Sequence, residues 1–89
     1  MARNPNTHNF TETEMIFRKN IIYLREKSGL TRHAIAKELR MNQAYYYKLE
    51  DLKAPMNPTF EYMENIAQAY NLEVWQLFTK LYEQGESEK

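Results

Sequence analysis

Residues 31–50, with the sequence TRHAIAKELRMNQAYYYKLE, decide the fold of this 89-residue chain. The spacing of their apolar side chains predicts two short amphipathic helices joined by a tight turn at Arg40 and Met41. Ala36 is small enough to let the two helices approach each other closely. The apolar seam between the helices is expected to consist of Ile35, Leu39, Tyr46 and Leu49.

The composition is that of one small domain with a modest core. Hydrophobic residues make up 43% of the chain, which is enough to fold without disulfides or metals. Cysteine is absent, and the two histidines, His8 and His33, lie far apart, so we expect no metal and no cofactor. No apolar run approaches the roughly 20 residues that cross a bilayer, and no signal peptide is visible. We therefore expect a cytoplasmic protein that does not contact membranes.

The charge is unevenly distributed although the net charge is zero. Residues 1–50 contain nine lysines and arginines against five acids, whereas residues 51–89 contain three against seven. The two halves thus carry charges of about plus four and minus four, and the basic half contains the predicted helix pair. A neutral chain is not a purely electrostatic binder of nucleic acid, but its basic half suits a negatively charged partner.

The remaining sequence predicts three more helices around this pair. Thr11 and Glu14 form a capping box for a first helix, and Gly29 ends it in a left-handed conformation. Thr31 caps the second helix, which runs to about Leu39, and Asn42 caps the third, which ends near Asp51 or Leu52. A loop with two prolines precedes a fourth helix at about 59–70, which Asn71 closes. The fifth helix starts after Leu72 and presents Val74, Leu77, Phe78 and Leu81.

We accordingly divide the chain into three parts. Residues 1–10 are polar and aperiodic and are expected to form a flexible N-terminal arm. Residues 11–82 form an all-α domain of five helices, and residues 83–89 form an acidic, frayed tail. The second and third helices have the arrangement of a helix-turn-helix, whose second helix enters the major groove of DNA.

The ordered series of motifs over residues 16–80 resembles the Xre/Cro-like helix-turn-helix regulators, which are related to the DNA-binding domain of the phage lambda repressor. The resemblance is carried by Leu24-Arg25, Ser28-Gly29-Leu30-Thr31, Ile35-Ala36, Leu49-Glu50, Ile66-Ala67-Gln68-Ala69 and Leu72-Glu73-Val74-Trp75-Gln76-Leu77-Phe78. It implies a lambda-repressor-like fold and a sequence-specific double-stranded DNA-binding regulator.

Three residues depart from the family pattern. Arg32 replaces the usual glutamine at the start of the second helix, and both residues can donate to a phosphate. Arg40 replaces the usual glycine in the turn, where a left-handed conformation costs a side chain roughly 1 kcal/mol unless the turn is built differently. Tyr46 replaces a β-branched core residue and, if buried, needs a hydrogen-bond partner for its hydroxyl.

The resemblance assigns roles to the side chains of the helix-turn-helix. Base contacts are expected from Asn42, Gln43, Ala44, Tyr47 and Lys48, with Gln43 suited to adenine N6 and N7 and Ala44 to a thymine methyl. Phosphate contacts are expected from Arg32, His33, Tyr45 and Lys53. An ordinary solvated helix surface is the alternative for Gln43 and Lys48, and Tyr45 and Tyr47 could instead only flank the core.

The last helix of such domains commonly packs at a dimer interface. Trp75, Phe78, Leu81 and Tyr82 are therefore expected to contact a second copy, although packing within the core explains them nearly as well. The leading interpretation is a homodimeric repressor, nucleoid-associated, that binds an inverted repeat through the helix at residues 43–51. The alternative is a helix-turn-helix that binds a protein partner, or an antitoxin that binds both a protein and its operator. No constellation of catalytic residues converges in the motif, so we do not expect an enzyme.

Overall fold

The computed structural model describes residues 11–53 and 57–87. All regular structure in these ranges is helical, as the sequence predicts. The elements are α1 (Glu12–Lys27), α2 (Arg32–Glu38), α3 (Gln43–Glu50), α4 (Phe60–Ala69), a 3-10 helix (Val74–Phe78) and α5 (Tyr82–Ser87). The predicted N-terminal arm, residues 1–10, lies outside the described residues.

Each of the first four helices begins at a side chain that accepts a hydrogen bond from its first turn. The oxygens of Thr11, Thr31, Asn42 and Thr59 accept from the backbone N–H three residues later. Glu14 returns a bond to the backbone N–H of Thr11 at 2.8 Å, which completes the predicted capping box. These bonds satisfy N–H groups that have no partner inside a helix, so the predicted caps of α1, α2 and α3 are confirmed.

Three residues adopt the left-handed conformation where helices end. Gly29 follows α1 with φ of 74°, and Asn71 follows α4 with φ of 59°, so both predicted left-handed residues are confirmed. Arg40 lies in the turn between α2 and α3 with φ of 58°. The turn therefore keeps the left-handed geometry of a glycine turn, and Arg40 accepts the steric cost of roughly 1 kcal/mol.

One hydrophobic core joins α1 to the helix-turn-helix, α4 and the 3-10 helix. The predicted seam residues Ile35, Leu39 and Leu49 are buried, as are Phe17, Ile66 and Leu77, and Leu72 is half-buried against them. Tyr46 is also buried, with 1% of its surface exposed. Ala36 is fully buried where α2 packs against α3, as its small size predicts.

The predicted fifth helix is present, but it is a short 3-10 helix and does not continue to Leu81. Residues Val74–Phe78 form a short 3-10 helix, and Thr79 is extended. The buried Asn20 of α1 explains the break, because its Nδ2 donates to the carbonyl of Leu77 at 2.7 Å and also to that of Thr79. A continuous α-helix would need the Leu77 carbonyl for the N–H of Leu81, which instead donates to Thr79.

The acidic segment after residue 82 also differs from the expected frayed tail. Helix α5, Tyr82–Ser87, crosses the boundary that the sequence suggests between domain and tail. Its start is fixed to α1, since the N–H of Tyr82 donates to Asn20 Oδ1 at 3.1 Å and Lys19 Nζ lies 5.5 Å from the centre of the Tyr82 ring. Asn20 therefore holds both the 3-10 helix and α5 against α1.

An ion pair between the half-buried Arg25 and the buried Glu50 connects α1 to α3. Arg25 donates from Nε to Glu50 Oε2 at 2.6 Å and from Nη2 to Oε1 at 3.0 Å. The hydroxyl of Tyr46 donates to the same carboxylate at 2.5 Å, which supplies the partner that a buried phenol requires. Arg25 also donates to the carbonyl of Leu30 at 2.9 Å, so the α1–α2 loop is part of the same network.

A second arginine of α1 closes the end of α3. Arg18 is buried, and its Nη1 donates to the carbonyls of Lys48 at 2.9 Å, Leu49 at 3.4 Å and Asp51 at 2.7 Å. The last carbonyls of a helix have no partner within it, so this guanidinium caps α3 from outside. Burial lowers the pKa of Arg18, while Glu14 and Asp51 act in the opposite direction.

The Tyr46 hydroxyl predicts a loss of stability in alkali. Burial, followed by the hydrogen bond to Glu50, raises the pKa of Tyr46 above its ordinary value of 10.0. The unfolded chain ionises this phenol near pH 10 and the folded chain does not, so the stabilisation is complete below pH 10 and is lost as the pH rises above it. In urea unfolding at pH 8 to 11, the free energies of unfolding of wild type and Tyr46→Phe should run parallel below pH 10. Above pH 10, that of Tyr46→Phe should fall less steeply, by about 1.4 kcal/mol per pH unit. Equal slopes would contradict the assignment.

The opposite orientations of two neighbouring tyrosines predict opposite effects on stability. Tyr46→Ala removes a buried ring and should lower the free energy of unfolding by roughly 3–5 kcal/mol. Tyr47 is 40% exposed, so Tyr47→Ala should change the melting temperature little. Thermal melts of both variants measure this difference. A stable Tyr46 variant beside an unfolded Tyr47 variant would show that the register of α3 is wrong by one residue.

Candidate nucleic-acid interface

One face of α3 and its cap is open to solvent. Asn42, Gln43, Ala44 and Lys48 are exposed, and the ring of Tyr47 is 40% exposed. Tyr46, Leu49 and Glu50 lie on the opposite face and are buried. All five residues predicted to contact bases therefore share the outward side of one two-turn helix, which is the geometry that a major groove accepts.

The first turn of α2 contacts this face at two points. The guanidinium carbon of Arg32 lies 5.1 Å from the ring centre of Tyr47, within the range of a cation–π interaction. Next to it, Nδ1 of His33 is hydrogen-bonded to Nε2 of Gln43. Two residues predicted to contact phosphates are thus each paired with a residue predicted to contact a base.

Tyr45 lies at the edge of the interface and not at its centre. Its ring is half-buried and packs against Tyr62 of α4 with 5.2 Å between ring centres. Burial and the neighbouring Tyr62 raise the pKa of Tyr45. One side of Tyr45 therefore packs α3 against α4. This contact agrees with the alternative in which Tyr45 flanks the core.

The two ends of α3 hold the remaining predicted contacts. Oδ1 of Asn42 accepts from the N–H of Tyr45 at 3.2 Å, so Nδ2 and the second lone pair of this oxygen are left for an external partner. Lys53 is exposed just beyond α3, and its backbone N–H donates to Asp51 Oδ1 at 2.9 Å. The Lys53 ammonium is therefore carried on a loop that is closed by a local turn.

The exposed side chains of residues 31–53 carry a higher net positive charge than the sequence of this segment suggests, because one of its acids is buried. All five of its cations are exposed: Arg32, Lys37, Arg40, Lys48 and Lys53. Of the three acids in the same range, Glu38 and Asp51 are exposed, whereas Glu50 is buried against Arg25. The exposed groups therefore carry three more positive than negative charges, which favours a polyanionic partner.

The residues predicted to form a dimer interface differ in exposure. Trp75 is 66% exposed at the surface of the 3-10 helix. Phe78 is half-buried and its ring stacks on Phe17 of α1 with 5.4 Å between centres. Leu81 and Tyr82 are half-buried as well. Among the four, Trp75 presents the largest apolar surface to an external partner.

Several residues that shape the interface were not identified from the sequence. The roles of Arg18 and Asn20 and the contact between His33 and Gln43 depend on partners from other elements. The spacing does carry a signal for Arg18, because it lies three residues before the buried Ile21 and therefore on the inward face of α1. A charged residue at a core position indicates a buried partner, but the sequence does not say which.

Two features were looked for in the part of the chain that the structure describes. No group of three or more histidine, cysteine or acidic side chains in that part of the chain is placed to hold a metal ion. A search of the same residues finds no helix with the length and apolar character needed to cross a membrane.

Comparison with known proteins agrees with this geometry. A family model described as helix-turn-helix matches residues 21–74, which is more than half of the chain and includes all of α2, α3 and α4. No curated protein and no solved structure matches the chain. The match confirms the predicted resemblance and the all-α lambda-repressor-like fold class. Members of this family are DNA-binding regulators and not enzymes. The chain belongs to the helix-turn-helix family, in its Xre, Cro and CI-like form.

Proposed function

We propose that this protein is a homodimeric repressor that binds an inverted-repeat operator through α3 in the major groove. The exposed face of α3 is the observation that carries the proposal. Asn42, Gln43, Ala44, Tyr47 and Lys48 would contact bases, and Arg32, His33, Tyr45 and Lys53 would contact phosphates. Occlusion of a promoter by such a dimer is the mode of action that we propose.

The proposal of a dimer rests on the surface around the 3-10 helix. Trp75 would provide the central contact, with Phe78, Leu81 and Tyr82 at its margins. Exposed tryptophan is enriched at protein interfaces because its large ring buries much apolar area with little loss of conformational freedom. Such a regulator acts where the DNA is, so its proposed location is the cytoplasm, in association with the nucleoid.

A protein partner is the second candidate, and a specific observation favours it. Phe60, at the start of α4, is 62% exposed and belongs to none of the surfaces assigned above. With Trp75 it makes two large aromatic side chains open to solvent on a chain of zero net charge. An antitoxin that binds an operator through α3 and a toxin through such a surface would use both features.

The assembly is tested by comparing two exposed aromatic residues. Trp75→Ser should shift the protein from dimer to monomer in sedimentation, because it removes the central apolar contact. Phe60→Ser is the matched control, since it removes a similarly exposed ring, and should leave the dimer intact. Footprints of the wild type should cover two half-sites about one helical turn, roughly 34 Å, apart. A monomer that saturates a single asymmetric half-site would rule out the dimer.

The division between base and phosphate contacts is tested with one variant in α3 and one in α2. Gln43→Ala should change the base preference at one or two positions of each half-site, at a cost of roughly 1–3 kcal/mol on the preferred sequence. Arg32→Ala should weaken binding to all duplexes about equally and reduce the slope of log K against log salt by about 0.9. Titrations at several salt concentrations measure both effects. Binding to a protein partner through apolar contacts would not give a steep slope of log K against log salt. If Gln43→Ala left the ranking of DNA sequences unchanged, Gln43 would be a contact to the DNA backbone and not to a base.

A further inference from the structure

Two pairs of side chains connect α2 to α3: one pair stacks, and the other is hydrogen-bonded. Arg32 lies over the ring of Tyr47, and His33 is hydrogen-bonded to Gln43. All four residues are exposed, so neither pair is enforced by burial. Consecutive residues of α2 therefore each hold one outward-facing residue of α3.

The atoms of the His33 contact leave Gln43 able to read a base. Nδ1 of His33 accepts from Nε2 of Gln43 when the imidazole proton is on Nε2 of the ring. A glutamine amide has two N–H donors and one oxygen, so one donor and the oxygen remain free. These two groups are the set that binds N7 and N6 of adenine in the major groove.

Holding a long side chain in one orientation before binding has a direct effect on affinity. A free glutamine samples several rotamers and loses them when it binds, whereas a glutamine already held by a neighbour loses fewer. The same contact also fixes which end of the amide faces the groove, because the oxygen and the nitrogen cannot exchange places without breaking it.

We propose that His33 is a positioning residue that sets base specificity by holding the amide of Gln43 in its adenine-reading orientation. This inference rests on the proposed function and gives His33 a positioning role in place of the direct phosphate contact that is proposed for it above. Arg32 remains a phosphate contact in this account. Its stacking on Tyr47 places it beside the same face of α3.

The test measures a specificity ratio with the full-length chain. Selection from a random duplex pool first identifies the sequence that the wild type prefers. The same selection with Gln43→Ala identifies the adenine position at which this variant no longer has a preference. The ratio is the Kd for a duplex with that adenine pair changed, divided by the Kd for the preferred duplex. His33→Ala should lower this ratio by about 2- to 12-fold, the range expected for releasing one ordered side chain. It should lower the ratio no further when Gln43 is already alanine.

Two substitutions separate the position of the ring nitrogen from the ring itself. Asparagine places its amide near the position of Nδ1, so His33→Asn should restore most of the ratio. Glutamine places its amide near the position of Nε2, so His33→Gln should behave like alanine. Because His33 and Gln43 are exposed, the melting temperatures of these variants should stay close to that of the wild type.

The outcomes distinguish the inference from the function on which it rests. An equal loss on all duplexes in His33→Ala, with a salt slope reduced by about 0.9, would identify a phosphate ligand and overturn the inference. Additive effects of His33→Ala and Gln43→Ala on the ratio would overturn it too. Enrichment of no sequence from the pool, with no duplex bound at low salt, would overturn the proposed function itself.

Discussion

The ion pair between Arg25 and the buried Glu50 determines how α3 is oriented. Glu50 accepts three hydrogen bonds, two from Arg25 and one from Tyr46, so its charge is fully partnered away from water. Removing Arg25 would leave Glu50 charged and buried without its ionic partner, which costs roughly 3–5 kcal/mol. Tyr46 and Glu50 lie one helical turn apart on α3, so satisfying both fixes the rotation of the helix about its axis. Gln43 and Tyr47 face outward as a consequence.

Helix α3 is short and depends on contacts beyond its own backbone. Eight residues are too few for a helix to be stable alone in water. Asn42 supplies a partner for its first turn, and Arg18 of α1 supplies partners for its last carbonyls. Helix α3, which presents the candidate interface, is thus held at its own C-terminal end by Arg18 of α1.

Local rules were sufficient for the first four helices and their ends. Thr11, Thr31 and Asn42 cap the helices that the sequence assigns to them, and Gly29 and Asn71 have the left-handed conformation expected after a helix. These features depend on residues within a few positions of one another. The apolar spacing also placed Tyr46 inside and Tyr47 outside.

Features set by distant residues could not be predicted in the same way. The bonds from Asn20 to the carbonyls of Leu77 and Thr79 join residues almost sixty positions apart, and they interrupt what the apolar spacing describes as one helix. For the candidate site, the sequence predicted which residues face outward. It did not reveal that His33 contacts Gln43, because a hydrogen bond between exposed side chains leaves no trace in hydrophobic periodicity.

The left-handed backbone of Arg40 bears on whether the recognition unit can be moved to another protein. Its φ of 58° is unfavourable for a residue with a side chain, so the turn between α2 and α3 is not encoded locally as a glycine turn would be. The angle between these helices is instead imposed by packing, chiefly through Ala36, Tyr46 and the partners of Glu50 on α1. If residues 31–50 alone were grafted into another protein, α2 and α3 would therefore lose their relative orientation. A transplantable module has to include α1, which supplies Arg18 and Arg25.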